Sequence, residues 1–273
     1  MDPSADPESL RLLGDSVRTT MVAASGAKLD AALTDLGWLD MLDEMPDTAI
    51  PLVFRLLGET GSHAPVLNDV VLRAAGAAPG GTLPLPFTGG SWVVWERGDG
   101  ASSALDGELP LNHVAHGDSI SPVALGVGRL AVGWWLIGTS RAMLSLARQH
   151  AVDRVQFGRR ISSFQAIRHR LAETLVAIEG AEATLDAATA QPDDPVGLAS
   201  LLAKAAAGQA ALTTARHCQQ VLGGIGFTAE HQLHHHVKRS LILDGLLGSA
   251  RELTRQAGAA LRAKGFAPRL AQL

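Results

Sequence analysis

Tyrosine is absent from these 273 residues, and cysteine occurs once, as Cys218. A single thiol excludes an internal disulfide. A surplus of positive charge is also missing. Lys plus Arg number 23 against 27 Asp plus Glu, a formal net charge of -4, so the footprint expected of a nucleic-acid binder is not there. Any anionic ligand must be met by local positive charge. Charged residues reach only 18% while apolar residues reach 47%, which excludes a disordered chain. The 29 Gly and 13 Pro are too few and too scattered for a fibrous or low-complexity one. Residues Met1 to Leu10 are acidic and lack the basic start and apolar stretch of a secretory leader, so a cytoplasmic location is expected. The longest apolar run, Val123 to Gly138, carries Arg129 and falls short of the roughly 20 residues that a membrane span needs. No repeat of fixed period is found, which argues against solenoids and propellers.

What is present is a globular chain of one large domain or two, against a prior of roughly 150 residues per domain, and its texture changes twice. Residues 1–75 read as helical, with Leu33, Leu36, Leu39 and Leu42 three apart within Ala31 to Leu42, and with Ile50 to Leu57 opening at Pro51. Two or three short helices fit. Residues 76–121 gather Gly, Pro and Asp around short pieces such as Ser91-Trp92-Val93-Val94-Trp95, the pattern of a small β segment far short of a barrel. Residues 122–273 carry helix periods: Val127, Leu130, Trp134 and Ile137, then Ile161, Phe164, Ile167, Leu171, Leu175 and Ile178. Pro192 and Pro195 should stop the second of these helices. A third is expected from about Val196 to Leu222, ended by Gly223-Gly224, and a fourth from about Glu230 to Lys264 with weak points at Gly245 and Gly248. The expected fold is mainly α: an antiparallel four-helix bundle at the C-terminal end, a shortened helical N-terminal domain, and a reduced β segment between them.

Three generic signals favour bland explanations. Gly126-Val127-Gly128-Arg129-Leu130-Ala131 resembles a loose dinucleotide fingerprint, but no strand precedes it and no acid follows at the required distance, so close helix packing explains it better. His231, His234, His235 and His236 put two imidazoles on one helical face without announcing a third ligand, the pattern of a polar helix surface. Cys218 lies inside a helix among Ala and Gln, as a packed side chain does. No nucleophile elbow or phosphate loop occurs.

Two other segments demand more. Asp153-Arg154-Val155-Gln156-Phe157-Gly158-Arg159-Arg160 joins a cationic cluster to an aromatic ring and a glycine at a helix-to-helix turn. A guanidinium there suits a pyrophosphate and Phe157 suits a heterocycle, although a solvated basic turn would suffice for the segment taken alone. Ser162-Ser163-Phe164-Gln165 follows and reads as a capping box, with Ser162 as N-cap and Gln165 reaching back. Further on, Gln220-Val221-Leu222-Gly223-Gly224-Ile225-Gly226-Phe227 ends a helix with three glycines whose missing Cβ lets a ligand approach the backbone. A helix C-cap accounts for one glycine, not three.

Together, Arg154-x-Gln156-Phe157-Gly158, Phe164-Gln165 and Gln220-x-x-Gly223-Gly224-x-Gly226-Phe227 resemble the C-terminal bundle of FAD-dependent acyl-CoA dehydrogenases, over about Pro122 to Leu261. Leu36-Gly37-Trp38-Leu39 and Leu56-Leu57-Gly58-Glu59 resemble that family's helical N-terminal domain more weakly. The resemblance implies that Arg154, Gln156, Phe157, Gln220, Gly223 and Gly224 meet the adenosine and pyrophosphate end of an FAD held mainly by a neighbouring chain. It also implies departures. The family's Tyr-Glu-Gly-Thr motif, nineteen positions beyond the Phe of the glycine motif, falls on Leu246-Leu247-Gly248-Ser249, so the catalytic glutamate is replaced by Leu247. The family's alternative base position falls on Gly128. Neither side chain can take an α-proton while a flavin takes the β-hydride. The missing tyrosines fit this replaced motif. The β segment also lacks the Thr-Glu-Pro and Trp-x-Ser/Thr motifs of the family's middle barrel and is too short to form it.

In the family this chain resembles, the lost features act in cis on a chain's own flavin, and the retained ones act in trans on a partner's. The resemblance therefore implies a non-catalytic subunit of a heterotetrameric (α2β2) acyl-CoA dehydrogenase, like those of actinobacterial sterol and lipid catabolism. Such a subunit would be paired with a longer homologue that binds most of the acyl-CoA, and the complex would pass electrons to an electron-transferring flavoprotein. This chain alone is expected to be inactive. The competing expectations are a flavin-free structural or interaction subunit and a metalloprotein using His231 to His236. Trp134 and Trp135 are candidates to line a pocket, with a core role expected for at least one.

Overall fold

The computed structural model describes residues 7–98, 104–106, 109–190 and 197–266. Five helices open the chain: α1 (Pro7–Ala23), α2 (Ala27–Asp35), α3 (Trp38–Glu44), α4 (Pro46–Thr60) and α5 (Val66–Ala74). This exceeds the two or three expected, and the cause is local. Gly37 adopts φ 85° and breaks the leucine run, so Leu33 packs from α2, Leu42 packs from α3, and Leu36 at the joint stays 39% exposed. The proline that opens α4 is Pro46, which loses nothing at a position where the N–H has no helical partner, whereas Pro51 sits inside the helix.

Four antiparallel strands follow, β1 (Pro84–Phe87), β2 (Ser91–Trp95), β3 (Ala104–Asp106) and β4 (Leu109–Val114), in the order β1-β2-β4-β3. Leu85 lies opposite Val93 and Trp95 opposite Leu111, and these four side chains are fully buried. Asp69 of α5 ties the sheet to the helices. It is 2% exposed, pairs with Arg97 just after β2, accepts from Trp38 Nε1 at 3.2 Å, and accepts from the Gly80 N–H at 2.8 Å. Arg97 also holds Asp30 of α2 at 2.8 Å. A buried carboxylate with this many donors is compensated for leaving water.

The bundle comprises α6 (Pro122–Asp153), α7 (Gln165–Thr189), α8 (Leu198–Leu222), α9 (Leu233–Gly245) and α10 (Ala250–Lys264). The expected fourth helix is therefore two, broken between the glycines named as weak points. Pro192, Pro195 and Val196, which bear on the end of α7 and the start of α8, lie outside the described residues. Between α6 and α7 a two-residue hairpin joins β5 (Val155–Gln156) to β6 (Arg159–Arg160). The expected Ser162 capping box does not form. Residues Ile161–Ser163 make a 3-10 turn, Phe164 is the N-cap of α7 without a side-chain bond, and Ser163 Oγ donates to Arg160 O. The box occurs instead at Ser249 and Glu252, at the start of α10.

Helix α6 is the axis of the molecule. Ser121 caps it by accepting from the Ala124 N–H at 3.2 Å, and Pro122 occupies its first turn. The apolar run judged too short for a membrane is part of this 32-residue helix, which by length and composition is long and apolar enough to cross one, and 72% of its most apolar window is buried inside the fold. Packing is closest against α4, where the two backbones touch. A Cβ on Gly138 would lie 2.0 Å from Arg55 O, and one on Gly58 would lie 2.4 Å from Trp135 O. Around that contact an aromatic series runs from Trp38 to Phe54 (6.4 Å), to Trp135 (5.9 Å), to Trp95 (5.4 Å, stacked). One hydrophobic core thus passes through the N-terminal helices, the sheet and the bundle.

Replacing Gly138 by Ala should push α4 off α6 and cost about 3 kcal/mol, the upper part of the range for overpacking. Chemical denaturation of Gly138→Ala beside the parent measures it, and a loss under about 1 kcal/mol would show that the crossing yields.

Candidate functional site

The predicted site residues divide into an outward group and an inward pair. The outward group lies at one end of the bundle. Arg154 follows α6, and its carbonyl accepts from Ile161 N–H at 2.9 Å, which closes the hairpin. Phe157 (φ 54°) and Gly158 (φ 76°) form the two-residue turn, both left-handed as a type I′ hairpin requires. Phenylalanine there costs of order 1 kcal/mol of strain, and the chain gains little burial in return, because Phe157 is 90% exposed. Its ring lies perpendicular to that of Phe164 at 6.0 Å, while Arg159 stacks on Phe164 at 4.1 Å. Gln156 is exposed on β5. Among the described residues, the side chains of Arg154, Gln156 and Gln220 make no hydrogen bond or ion pair within the chain.

The glycine turn Gly223–Phe227 ends α8 as a 3-10 segment. Its three glycines have three different explanations. Gly223 has φ 66°, which its position as C-cap of α8 demands. Gly226 is a packing glycine, since a Cβ would sit 2.8 Å from Gln219 O and 2.9 Å from Leu222 Cβ. Gly224 has neither constraint: its φ is not positive, and a Cβ there would meet nothing within 4 Å. Nearby, Phe227 is 67% exposed and Ile225 41%. The hairpin and this turn flank the same small core, in which Met143 and Ala147 of α6, Cys218, Val221 and Leu222 of α8, and Leu233 of α9 pack with Ile161 and Ile167 beside them. Burial raises the Cys218 thiol to about 12, so it is a packed apolar group. The histidines are bound into the start of α9: His231 Nδ1 accepts from Leu233 N–H, His234 Nδ1 lies 2.9 Å from His231 O, and burial holds His236 down at about 4.

The inward pair is Leu247 and Gly128, far apart in sequence and adjacent in space. A Cβ on Gly128 would lie 2.9 Å from Leu247 Cδ1 and from Val71 Cγ2, and Leu247 is 1% exposed. Leu247 sits at the break between α9 and α10 with φ 59°. Its N–H donates to Pro86 O at 2.8 Å, and Arg129 Nε donates to its carbonyl at 3.2 Å. Burial lowers the Arg129 pKa.

Two further residues hold this break, and the sequence reading missed both. Lys204 of α8 is fully buried and donates to the carbonyls of Asp244 and Gly248, on either side of it. Glu252 accepts from the N–H groups of Gly89 and Ser249, each at 2.9 Å, and from the Thr88 hydroxyl, which pins α10 to the sheet. Those backbone bonds hold its carboxyl down to about 2. The signals were legible in principle: Lys204 is the only charge between Leu198 and Ala215, and Ser249-x-x-Glu252 is a capping-box pattern. Of the two candidate tryptophans, Trp134 lines a cavity of about 430 Å3 with Ile50, Val127 and Leu130, whereas Trp135 belongs to the core.

The model of the acyl-CoA dehydrogenase C-terminal domain matches residues 116–261. Acyl-CoA dehydrogenase FadE34 of Mycobacterium tuberculosis is 34% identical over 202 residues, 67% of this chain, and the match spans only 28% of that longer protein. Among solved structures, the Tcur3481-Tcur3483 steroid acyl-CoA dehydrogenase variant superposes with a TM-score of 0.71 at 20% identity, covering 94% of this chain and 98% of its own. The ChsE4-ChsE5 complex of M. tuberculosis gives 0.71 at 20% identity, covering 98% and 100%.

Two outcomes follow from this geometry. Gly224→Ala should leave stability of the isolated chain within about 0.5 kcal/mol of the parent, while Gly226→Ala should cost about 2 kcal/mol; equal effects in urea melts would remove the distinction between them. Burial lowers Lys204 from its ordinary 10.5 to about 7. Between those values the unfolded chain binds a proton that the folded chain does not, so stability should rise with pH by up to about 1.4 kcal/mol per unit, and should lose that slope below about pH 7. Thermal melts at pH 7 and pH 9 should separate for the parent and converge for Lys204→Met.

Proposed function

The chain belongs to the acyl-CoA dehydrogenase family, and on that footing we propose that it is the base-less subunit of a heteromeric enzyme that introduces an α,β double bond into acyl-CoA thioesters. In this reading it completes the adenine and pyrophosphate wall of an FAD held mainly by a longer homologue, and it performs no dehydrogenation alone. The observation that carries the proposal is the opposite fate of two sets of positions. The two base positions, Gly128 and Leu247, close on each other in apolar contact, while Gly224 and Phe157 face outward beside Arg154, Gln156 and Gln220, whose side chains have no hydrogen bond or ion pair among the described residues.

The residues present fit one end of the cofactor and not the other. Arg154 offers a fork of donors to a pyrophosphate, the ring of Phe157 offers a flat face to a heterocycle, and Gly224 leaves room for close approach. At the reacting end a general base would have to sit within hydrogen-bond reach of the α-proton, and a buried leucine packed on a glycine supplies none. The flavin, when bound, supplies the acceptor for the β-hydride. This chain's part is to bind and orient the far end of it, together with Gln156, Gln220 and the Gly223 turn. The remaining features belong to the same proposal: a cytoplasmic complex, an electron-transferring flavoprotein as acceptor, and a steroid or other lipid acyl-CoA as substrate. The last is supported by the steroid enzyme among the structural relatives.

Co-purification with the longer homologue should give one FAD per pair of unlike chains. Arg154→Ala should weaken flavin retention by roughly tenfold to a hundredfold, as removal of a charge-assisted hydrogen bond worth about 1.5–3 kcal/mol does. Dialysis followed by absorbance at the flavin band reads both. Full FAD occupancy on this chain alone, or undiminished retention by the variant, contradicts the assignment.

A further inference from the structure

On the outward side of the bundle, α8, α9 and α10 leave a groove of about 920 Å3. Its floor is apolar, with Leu212 of α8 and with Val237 and Leu241 four residues apart on α9, the last 58% exposed. Its banks carry Arg216 on α8 and Arg251 and Arg255 one turn apart on α10. Among the described residues none of these guanidiniums makes an ion pair, and Arg216 donates only to the Thr213 hydroxyl at 3.3 Å. Asp244 also borders the groove, but its Oδ1 accepts from the Ala250 N–H at 3.0 Å and is tied to the start of α10. A chain of net charge -4 thus gathers three uncompensated cations around one apolar strip.

We propose that this groove docks an acidic amphipathic helix of the partner subunit, whose apolar stripe covers Leu212, Val237 and Leu241 and whose carboxylates face Arg216, Arg251 and Arg255. The identity of the partner rests on the function proposed above; the chemistry of the occupant rests on the groove. The apolar floor rules against a bare polyanion, because it would leave Leu241 uncovered. A cleft between helices with apolar contacts spaced by four residues suits a helix laid along it. The charges select an acidic one and steer its approach. The groove also lies near the proposed cofactor wall along α8, since Gln219 borders it and Gln220 is the next residue.

The test uses the full chain and a fluorescein-labelled synthetic helix with leucines on one face and glutamates on both flanks, beside a copy with lysine at every glutamate. The acidic helix should bind at least about tenfold more tightly than the basic one. Its affinity should fall about tenfold with Arg251→Glu/Arg255→Glu, and should also fall on raising NaCl from about 0.05 to about 0.3 M. Arg262→Glu, on α10 outside the groove, should change nothing. The melting temperature of the double variant should match the parent, because neither arginine has an ion-pair partner among the described residues. Equal binding of the two helices, or binding untouched by the double reversal, overturns the proposal. Self-association of the chain that the reversal abolishes would identify a second copy as the occupant and also overturn it. In the co-expressed pair the two readings separate. Flavin lost with Arg154→Ala but assembly intact with the double reversal removes the groove alone. Assembly lost with the reversal but flavin retained with Arg154→Ala removes the cofactor wall and leaves the groove standing.

Discussion

Contact between the backbones of α4 and α6 at Gly58 and Gly138 is the constraint on which the other arrangements rest. Two helices whose surfaces meet without intervening side chains have one depth and one crossing available to them, and the aromatic series from Trp38 to Trp95 fills the space left on either side. With α6 fixed against the N-terminal helices, its first half must also face α5 and the α9–α10 break. That is how Val71, Gly128 and Leu247 come to share one point. Its last turns must meet the end of α8, where the hairpin and the glycine turn flank a shared small core. A single helix therefore carries the closed inner position at one end and the open outer one at the other.

The break at Leu247 is held far more firmly than a loop without duties requires. Lys204, Arg129 and Pro86 each engage its backbone, and Glu252 locks the following helix to the sheet. A left-handed leucine persists only where its surroundings over-determine it. The break is thus rigidly held around a buried apolar side chain. At the other end the balance is reversed: Phe157 is strained and bare, and Gly224 has no steric reason in its own chain to be glycine. Strain and openness that the described residues of this chain do not use point to a use outside it.

The sequence alone determined the features governed by near neighbours. Helix periods in α6 to α8, the ends of helices at Gly223 and Gly265, the turn-rich sheet and the two conspicuous motifs are all set by contacts within a few residues, so they can be read in one dimension. Even there, competing local signals misled: Ser162 had the residues of a capping box, but the chain bends through a 3-10 turn and the true box is at Ser249. Only the tertiary structure decided what each unusual residue is for. Gly224 and Gly226 look alike in sequence, yet the first faces open space and the second faces Gln219, because the atoms that would strike a Cβ are set by how the chain folds back on itself. Gly128 and Leu247 became a pair only when α6 and the α9–α10 break were brought together. Lys204 became a buried latch only when two carbonyls from a distant break were laid over it. Sterics and desolvation depend on neighbours in space, and those neighbours are the part of the site that no spacing along the chain can supply.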